Sequence, residues 1–264
     1  MTMRIWYQLL APNQRHAEFI ASVQDLCNRI AAPGTTVEVH GTDPGAHGDN
    51  YRMFEYLDTV VVMKNALRVR KQGGYDAFVL GNSLDPGIVG LRELLDIPVL
   101  TVMEVSCHTA CSMGEKFGIV VPNEKFMPKY RELVAGYGLQ QRFAGVSTLR
   151  YERVAQLNRM FVDKAVAEAT IEEFKAASRQ LIDQGAEVLV PIGPPMSLLA
   201  QHGVRDVDGA IVMDGYSLLV KATEAMVTMH RATGVCVSRR GLYKSPPPDL
   251  LRSGAELHGF EDML

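Results

Sequence analysis

The stretch Asp76-Ala77-Phe78-Val79-Leu80-Gly81-Asn82-Ser83-Leu84-Asp85-Pro86-Gly87 constrains the fold of this chain more than any other. A short apolar run breaks off at Gly-Asn-Ser, the pattern of a strand covered on both faces. Asp-Pro-Gly then opens a helical pattern, with Asp85 suited to cap it and Pro86 to its first position. Asn82 and Ser83 therefore stand at the carboxyl end of a parallel strand, facing a helix N-terminus. Open α/β sheets place ligands at such points.

The plan recurs downstream. Glu187-Val188-Leu189-Val190-Pro191-Ile192 is a second apolar run, followed by Gly193-Pro194-Pro195-Met196 and another helix. Each copy leads to a further strand that ends in an acid. Val99-Leu100-Thr101-Val102-Met103 ends at Glu104, and Ala210-Ile211-Val212-Met213 ends at Asp214. Asn82 and Glu104 are 22 residues apart, Gly193 and Asp214 are 21 apart. A duplicated half-domain accounts for both.

Between these landmarks, strands and helices alternate. Residues 4–10 and 35–40 read as strands around a helix, and 51–72 as a long helix stopped by Gly73-Gly74. A helix over 85–95, a strand over 99–103 and a helix over 105–115 follow. Later come strands at 117–121 and 143–147, helices at 124–135 and within 151–184, and a closing helix over 216–233. Residues 234–238 read as a last strand, and the tail around Pro246-Pro247-Pro248 as irregular. Such alternation means an α/β protein with parallel, doubly wound sheets. Duplication makes it two similar lobes with pseudo-twofold symmetry: 1–116 with 216–264 in one, 117–215 in the other. The cleft between them is lined by Asn82-Ser83 on one side and Gly193-Pro194 on the other.

Of 264 residues, 47% are hydrophobic and 22% charged, ordinary globular values, and a net charge of −3 offers no nucleic-acid footprint. No apolar run approaches the ~20 residues that span a bilayer. The N-terminus does not read as a signal peptide. Cys27, Cys107, Cys111 and Cys236 are scattered and form no secreted framework. The expectation is a cytoplasmic protein with reduced thiols and no membrane partner.

Several motifs, taken in order, resemble the aspartate/glutamate/hydantoin racemase superfamily, most closely its hydantoin racemase branch. They are the Pro12-Asn13 turn, Asp85-Pro86-Gly87, Glu104 with His108-Thr109-Ala110, Phe117-Gly118-Ile119-Val120-Val121, Gly193-Pro194-Pro195-Met196 and Met213-Asp214-Gly215. The resemblance covers nearly the whole chain. It implies a two-lobed, cofactor-independent enzyme with a cysteine from each lobe flanking the substrate's α-carbon. One thiolate removes a proton and the opposite thiol returns one. It also implies a small-molecule substrate, a carboxylate or cyclic amide, and a homo-oligomer, since superfamily members are often oligomeric. The two cysteine positions fall at Asn82 and Gly193. Asn has no useful acid/base pKa, Gly has no side chain, and Pro194 and Pro195 donate no N–H.

The expected chemistry is thus racemase-like, an isomerase or lyase without the two-cysteine mechanism. Asn82 and Ser83 would hold a carbonyl oxygen, and Glu104 or Asp214 would act as general base. Hydrolytic opening of a cyclic amide at an oxyanion site is the alternative. A non-catalytic binding protein that kept the cleft is a third reading. Substrate-binding candidates are Asn13, Gly193, Pro194, Met196, His47 in the polar loop 41–50, and Arg240. Each has a plainer reading. Asn82 suits a turn, Glu104 an early helical position, Asp214 a helix cap, and Arg240 a surface basic pair. His40, His47, Asp43 and Asp49 lack recognised ligand spacing, so no metal is expected.

Overall fold

Along the first strand, β1 (Met3–Pro12), Ile5, Tyr7 and Leu9 alternate with Trp6, Gln8 and Leu10. Alternation sends the two sets to opposite faces of the sheet. Ile5, Tyr7 and Leu9 pack with helices α1 (Ala17–Ile30) and α8 (Gly215–Thr233). Leu10 and Trp6 pack with α2 (Arg52–Gln72) and α3 (Ile88–Leu94). A strand covered on both faces belongs to a doubly wound parallel sheet.

The structure, a computed structural model, describes residues 2–13, 15–43, 51–151 and 154–264. Strands β1, β2 (Thr35–Thr42), β3 (Ala77–Leu80) and β4 (Val99–Thr101) form one sheet in the order β2-β1-β3-β4. A second sheet contains β5 (Phe117–Val121), β6 (Phe143–Thr148), β7 (Val188–Pro191), β8 (Asp206–Val207) and β9 (Ala210–Val212), in the order β6-β5-β7-β9-β8. Dropping the edge strand β8, the second order repeats the first, with β3 matched by β7 and β4 by β9. All pairings are parallel except β8 with β9. The fold is a two-lobed α/β structure of repeated topology.

Helix α4 (Val102–Met113) serves both lobes. Its Val102 lies in the core beneath the first sheet, while Met103, Cys107 and Ala110 pack under the second. Helix α5 (Met127–Gly136) shares that second core through Tyr130 and Val134. The far face of the second sheet is covered by α6 (Lys164–Ile182) and α7 (Pro194–Gln201).

Four local expectations need correction. Residues 234–238 form no strand; Arg239 instead ties this segment to the end of α3 through the Arg92 and Leu95 carbonyls (2.5 and 2.6 Å). The tail is not wholly irregular, because Pro248 starts helix α9 (Pro248–Leu257), where its missing N–H costs nothing. Asp85 is not a cap, since Gly87 at φ 72° takes that place and α3 begins at Ile88. Strand β4 stops at Thr101, whose hydroxyl accepts the Glu104 N–H and starts α4 three residues earlier than expected. A hairpin also went unrecognised: Asp208 and Gly209, both at positive φ, turn β8 into β9, as an Asp-Gly pair favours.

The lobes meet along α5. Lys129 on α5 and Glu55 on α2 form an ion pair at 2.7 Å with side chains only 5% and 10% exposed. Arg52 pairs with Glu132 one turn further on. Removing one member of a buried pair strands the other charge, a cost of about 3–5 kcal/mol. Lys129→Met should therefore destabilise the protein by about 3 kcal/mol in denaturant unfolding. Lys129→Met with Glu55→Leu should recover most of that loss. A single substitution costing no more than the double would contradict the buried pairing.

Candidate functional site

The turn after β3 is built around Gly81. A Cβ there would lie 2.3 Å from the Tyr7 ring, so only glycine lets the strand end pass over that tyrosine. Asn82 follows, half-buried, and its Oδ1 accepts the Leu84 N–H at 2.9 Å. This is the turn-capping role open to any Asn. Ser83 is buried and its hydroxyl meets Tyr130 of α5 at 2.7 Å.

Asp85 sits in the left-handed region at φ 50°, a strained position for a non-glycine residue. Its side chain is 5% exposed. Oδ2 accepts the Thr101 hydroxyl at 2.7 Å and the Tyr137 hydroxyl at the end of α5. Oδ1 is buried with no hydrogen-bond partner among the described residues. Burial pushes the carboxyl up to about 6, against the pull of the two hydroxyls. The Asn82–Gly87 turn is thus clamped to the second lobe by two tyrosines, at Ser83 and at Asp85.

The corresponding turn after β7 is different in kind. Gly193 has φ 63° and ψ −149°, a region open essentially to glycine alone. Among the described residues, no atom beyond its chain neighbours lies within 4 Å of where its Cβ would be. Backbone geometry, not lack of space, excludes a side chain here. Pro194 and Met196 are buried in the first turns of α7, and Met196 packs in the core beneath the first sheet.

Two tyrosines bridge the turns. Tyr7 supports Gly81 and packs edge-on to Tyr216, ring centroids 6.5 Å apart. The Tyr216 hydroxyl donates to the Gly193 carbonyl at 3.4 Å. Asp214, two residues before Tyr216, caps α8 by accepting the Ser217 N–H at 3.1 Å. Its half-buried carboxylate is near enough to help burial raise the Tyr7 hydroxyl and the Cys27 thiol. Gly81, Gly193 and Asp214 are therefore linked through one tyrosine pair, and Asn82 and Ser83 follow Gly81 in the chain.

Other candidates are held by partners of their own. Asn13, exposed at the end of β1, bonds Asp43 and the Gly41 N–H at 2.6 and 3.0 Å. Glu104 is paired with Arg92, with contacts of 2.5 and 3.2 Å, and its charge still helps raise Asp85 and Tyr137. Arg240 is exposed on the segment after α8. His47 lies outside the described residues. Among the described residues no group of three His, Cys, Asp or Glu side chains is placed to hold a metal ion. No helix among them is long and apolar enough to cross a membrane. Sequence reading missed Asp85, Tyr130, Tyr137, Tyr7 and Tyr216. Only Asp85 carried a signal, an acid three residues after Asn82 that need not be a cap.

The Asp85 carboxyl titrates higher in the fold than in the unfolded chain, so it binds its proton more tightly when folded. The stability this contributes is present below pH 4 and is lost as pH rises through about 6. The unfolding free energy should therefore fall with pH across that window relative to Asp85→Asn, by up to about 3 kcal/mol. Parallel stability–pH curves for the two proteins would contradict the buried carboxyl.

Residues 16–223 match the model of the Asp/Glu/hydantoin racemase family. A hydantoin racemase of Paenarthrobacter aurescens is 25% identical over 90% of this chain and 96% of its own length. An allantoin racemase structure from Klebsiella pneumoniae superposes with a TM-score of 0.78 at 25% identity, covering 93% and 94% of the two chains. An allantoin racemase structure from Pseudomonas fluorescens gives 0.79 at 24% identity, over 93% of this chain and 98% of that one. With a repeated α/β topology and paired strand-end turns already in hand, the match over most of the chain makes this protein a member of the Asp/Glu/hydantoin racemase family.

Proposed function

We propose that this protein is a racemase-like isomerase or lyase acting at the carbon next to a carbonyl, on a small cyclic amide or carboxylate. The observation that carries this reading is the grouping of the two equivalent turns, Gly81-Asn82-Ser83 and Gly193-Pro194, around Tyr7 and Tyr216 in a member of a racemase family. The likeness to hydantoin and allantoin racemases points to cyclic ureides as the first substrates to try.

The two-thiol mechanism is not available at these turns. Asn82 and Gly193 occupy the positions where the family resemblance puts the cysteines. Cys27 is fully buried in the core that holds Tyr7 and Tyr216, Cys107 is buried under the second sheet, and burial pushes both thiols up. We take the Asp214 carboxylate, beside the Tyr7–Tyr216 pair that links the turns, as the acid/base group, because the Asp85 carboxyl is buried and committed to Thr101 and Tyr137. In this reading Asp214 takes the proton from the α-carbon, and the charge moves onto the adjacent carbonyl oxygen. Donors at the Asn82 turn stabilise that oxygen, because Pro194 and Pro195 give the opposite turn few N–H groups. The proton then returns to carbon. A base on one face only favours return from the same face, so chemistry in which an α-carboxylate leaves as CO2 and a protonated Asp214 delivers hydrogen to the resulting enolate suits this site better than stereoinversion.

The test is incubation with chiral hydantoins and substituted malonates in deuterated water. Deuterium at the α-carbon is the expected result. Ring opening without label would instead mean hydrolysis, and binding without either would mean a non-catalytic protein. Asp214→Asn keeps a good helix cap and should lower turnover by about 100-fold or more. Unchanged turnover in that variant would remove Asp214 from the chemistry.

A further inference from the structure

A cavity of about 380 Å³ lies away from the paired turns. None of Asn82, Ser83, Gly193 or Asp214 lines it. Its floor is β4 and the start of α4, one wall is Met226 of α8, and the segment 234–243 forms its roof. Most of the lining is aliphatic, including Ile97, Leu100, Val105, Met226 and Val237. The volume falls within the range of small-molecule sites.

The roof is fastened down. Arg239 donates to the carbonyls of Arg92, Leu95 and Tyr243 at 2.5, 2.6 and 3.1 Å, and to Asp96 at 2.6 Å. One end of the cavity is polar. Arg92 there is half-buried and already committed. It donates to the Val99 carbonyl, to both oxygens of Glu104 and to the Tyr243 hydroxyl. Its charge is neutralised by Glu104, so an incoming anion would have to displace that carboxylate. A cation would have to compete with Arg92 for Glu104. Two groups keep capacity for a ligand. Tyr243 accepts from Arg92 at 3.3 Å and retains its own O–H to donate. Glu104 retains lone pairs beyond the two that Arg92 uses. Together they offer one donor and one acceptor at the end of an apolar chamber.

We propose that this cavity is a second ligand site, selective for a compact neutral molecule with an apolar body and an amide-like polar edge. The amide N–H faces Glu104 and its carbonyl faces Tyr243, while the body fills the space between Val105, Met226 and Val237. Selection against charge follows from the Arg92–Glu104 pair, since an anion would have to displace Glu104 from Arg92 and a cation would stand beside the Arg92 charge while sharing its one counter-charge. Cys236 in the wall supplies a reporter, because its thiol is half-exposed and lines the same space.

The test compares benzamide with benzoate and benzylamine, which carry the same ring and a negative or a positive charge. Calorimetric titration of the intact protein should show saturable binding of benzamide. The charged analogues should bind about tenfold more weakly or worse. Val237→Trp, which fills the chamber from the roof, should abolish benzamide binding. Benzamide should also slow alkylation of Cys236, read by peptide mass spectrometry, while Cys111, which does not line the cavity, reacts at an unchanged rate. Failure of benzamide to bind would overturn the proposal. So would equal or tighter binding of benzoate, or benzamide binding that neither Val237→Trp nor Cys236 registers.

Discussion

Two tyrosine hydroxyls on one helix hold the candidate site in place. Tyr130 meets Ser83 and Tyr137 meets Asp85, and both tyrosines belong to the lobe that does not carry the turn. A strand end is ordinarily positioned by its own sheet. Here the turn after β3 is also held from across the gap, with Asp85 in a left-handed conformation that would relax without such support. The buried Lys129–Glu55 pair on the same helix fixes how the lobes approach. The placement of the Asn82 turn against the second lobe therefore depends on α5 as well as on its own sheet.

The repeat in the chain produces two similar turns but not two similar chemical environments. After β3, an Asn, a Ser and a buried carboxyl crowd one side, with hydroxyls directed at them. After β7, a glycine in a conformation barred to other residues is followed by two prolines, and the side chains beyond it are core. Polar stabilisation is therefore concentrated on the first lobe's turn. In the proposed chemistry the acid/base role would fall to Asp214, which belongs to neither turn and sits beside the tyrosines that join them. Asp214→Asn leaves the cap intact, so its role in capping and its role in proton transfer can be separated.

Much of this organisation is legible in the residues. Apolar runs of strand length, broken by Gly-Asn-Ser and Gly-Pro-Pro, mark β3 and β7, and the near-equal spacings to Glu104 and Asp214 reveal the repeat. What escapes a linear reading is long-range or conformational. Tyr130 and Tyr137 lie some fifty residues from the turn they hold, and nothing local ties them to it. Asp-Pro-Gly suggests a capping acid, but tertiary hydroxyls compete for the carboxylate and Gly87 takes the cap. Thr101 starts α4 early, which puts Glu104 in the helix's first turn, where it pairs with Arg92. Asp208-Gly209 did carry a hairpin signal, hidden because β8 is only two residues long. Residues 234–238 have strand composition, yet Arg239 finds better partners at the end of α3 than a sheet edge would offer.

The central claim is that the Asn82 and Gly193 turns enclose a common space in which a planar carbonyl compound is held. A crystal structure of the protein with a planar five-membered cyclic imide measures this directly. Difference density is expected between the two turns, with a ring carbonyl oxygen on the Asn82 side and the Asp214 carboxylate facing the ring carbon next to it. Density elsewhere with the turns empty, or turns too far apart for both to touch one small ring, would contradict it.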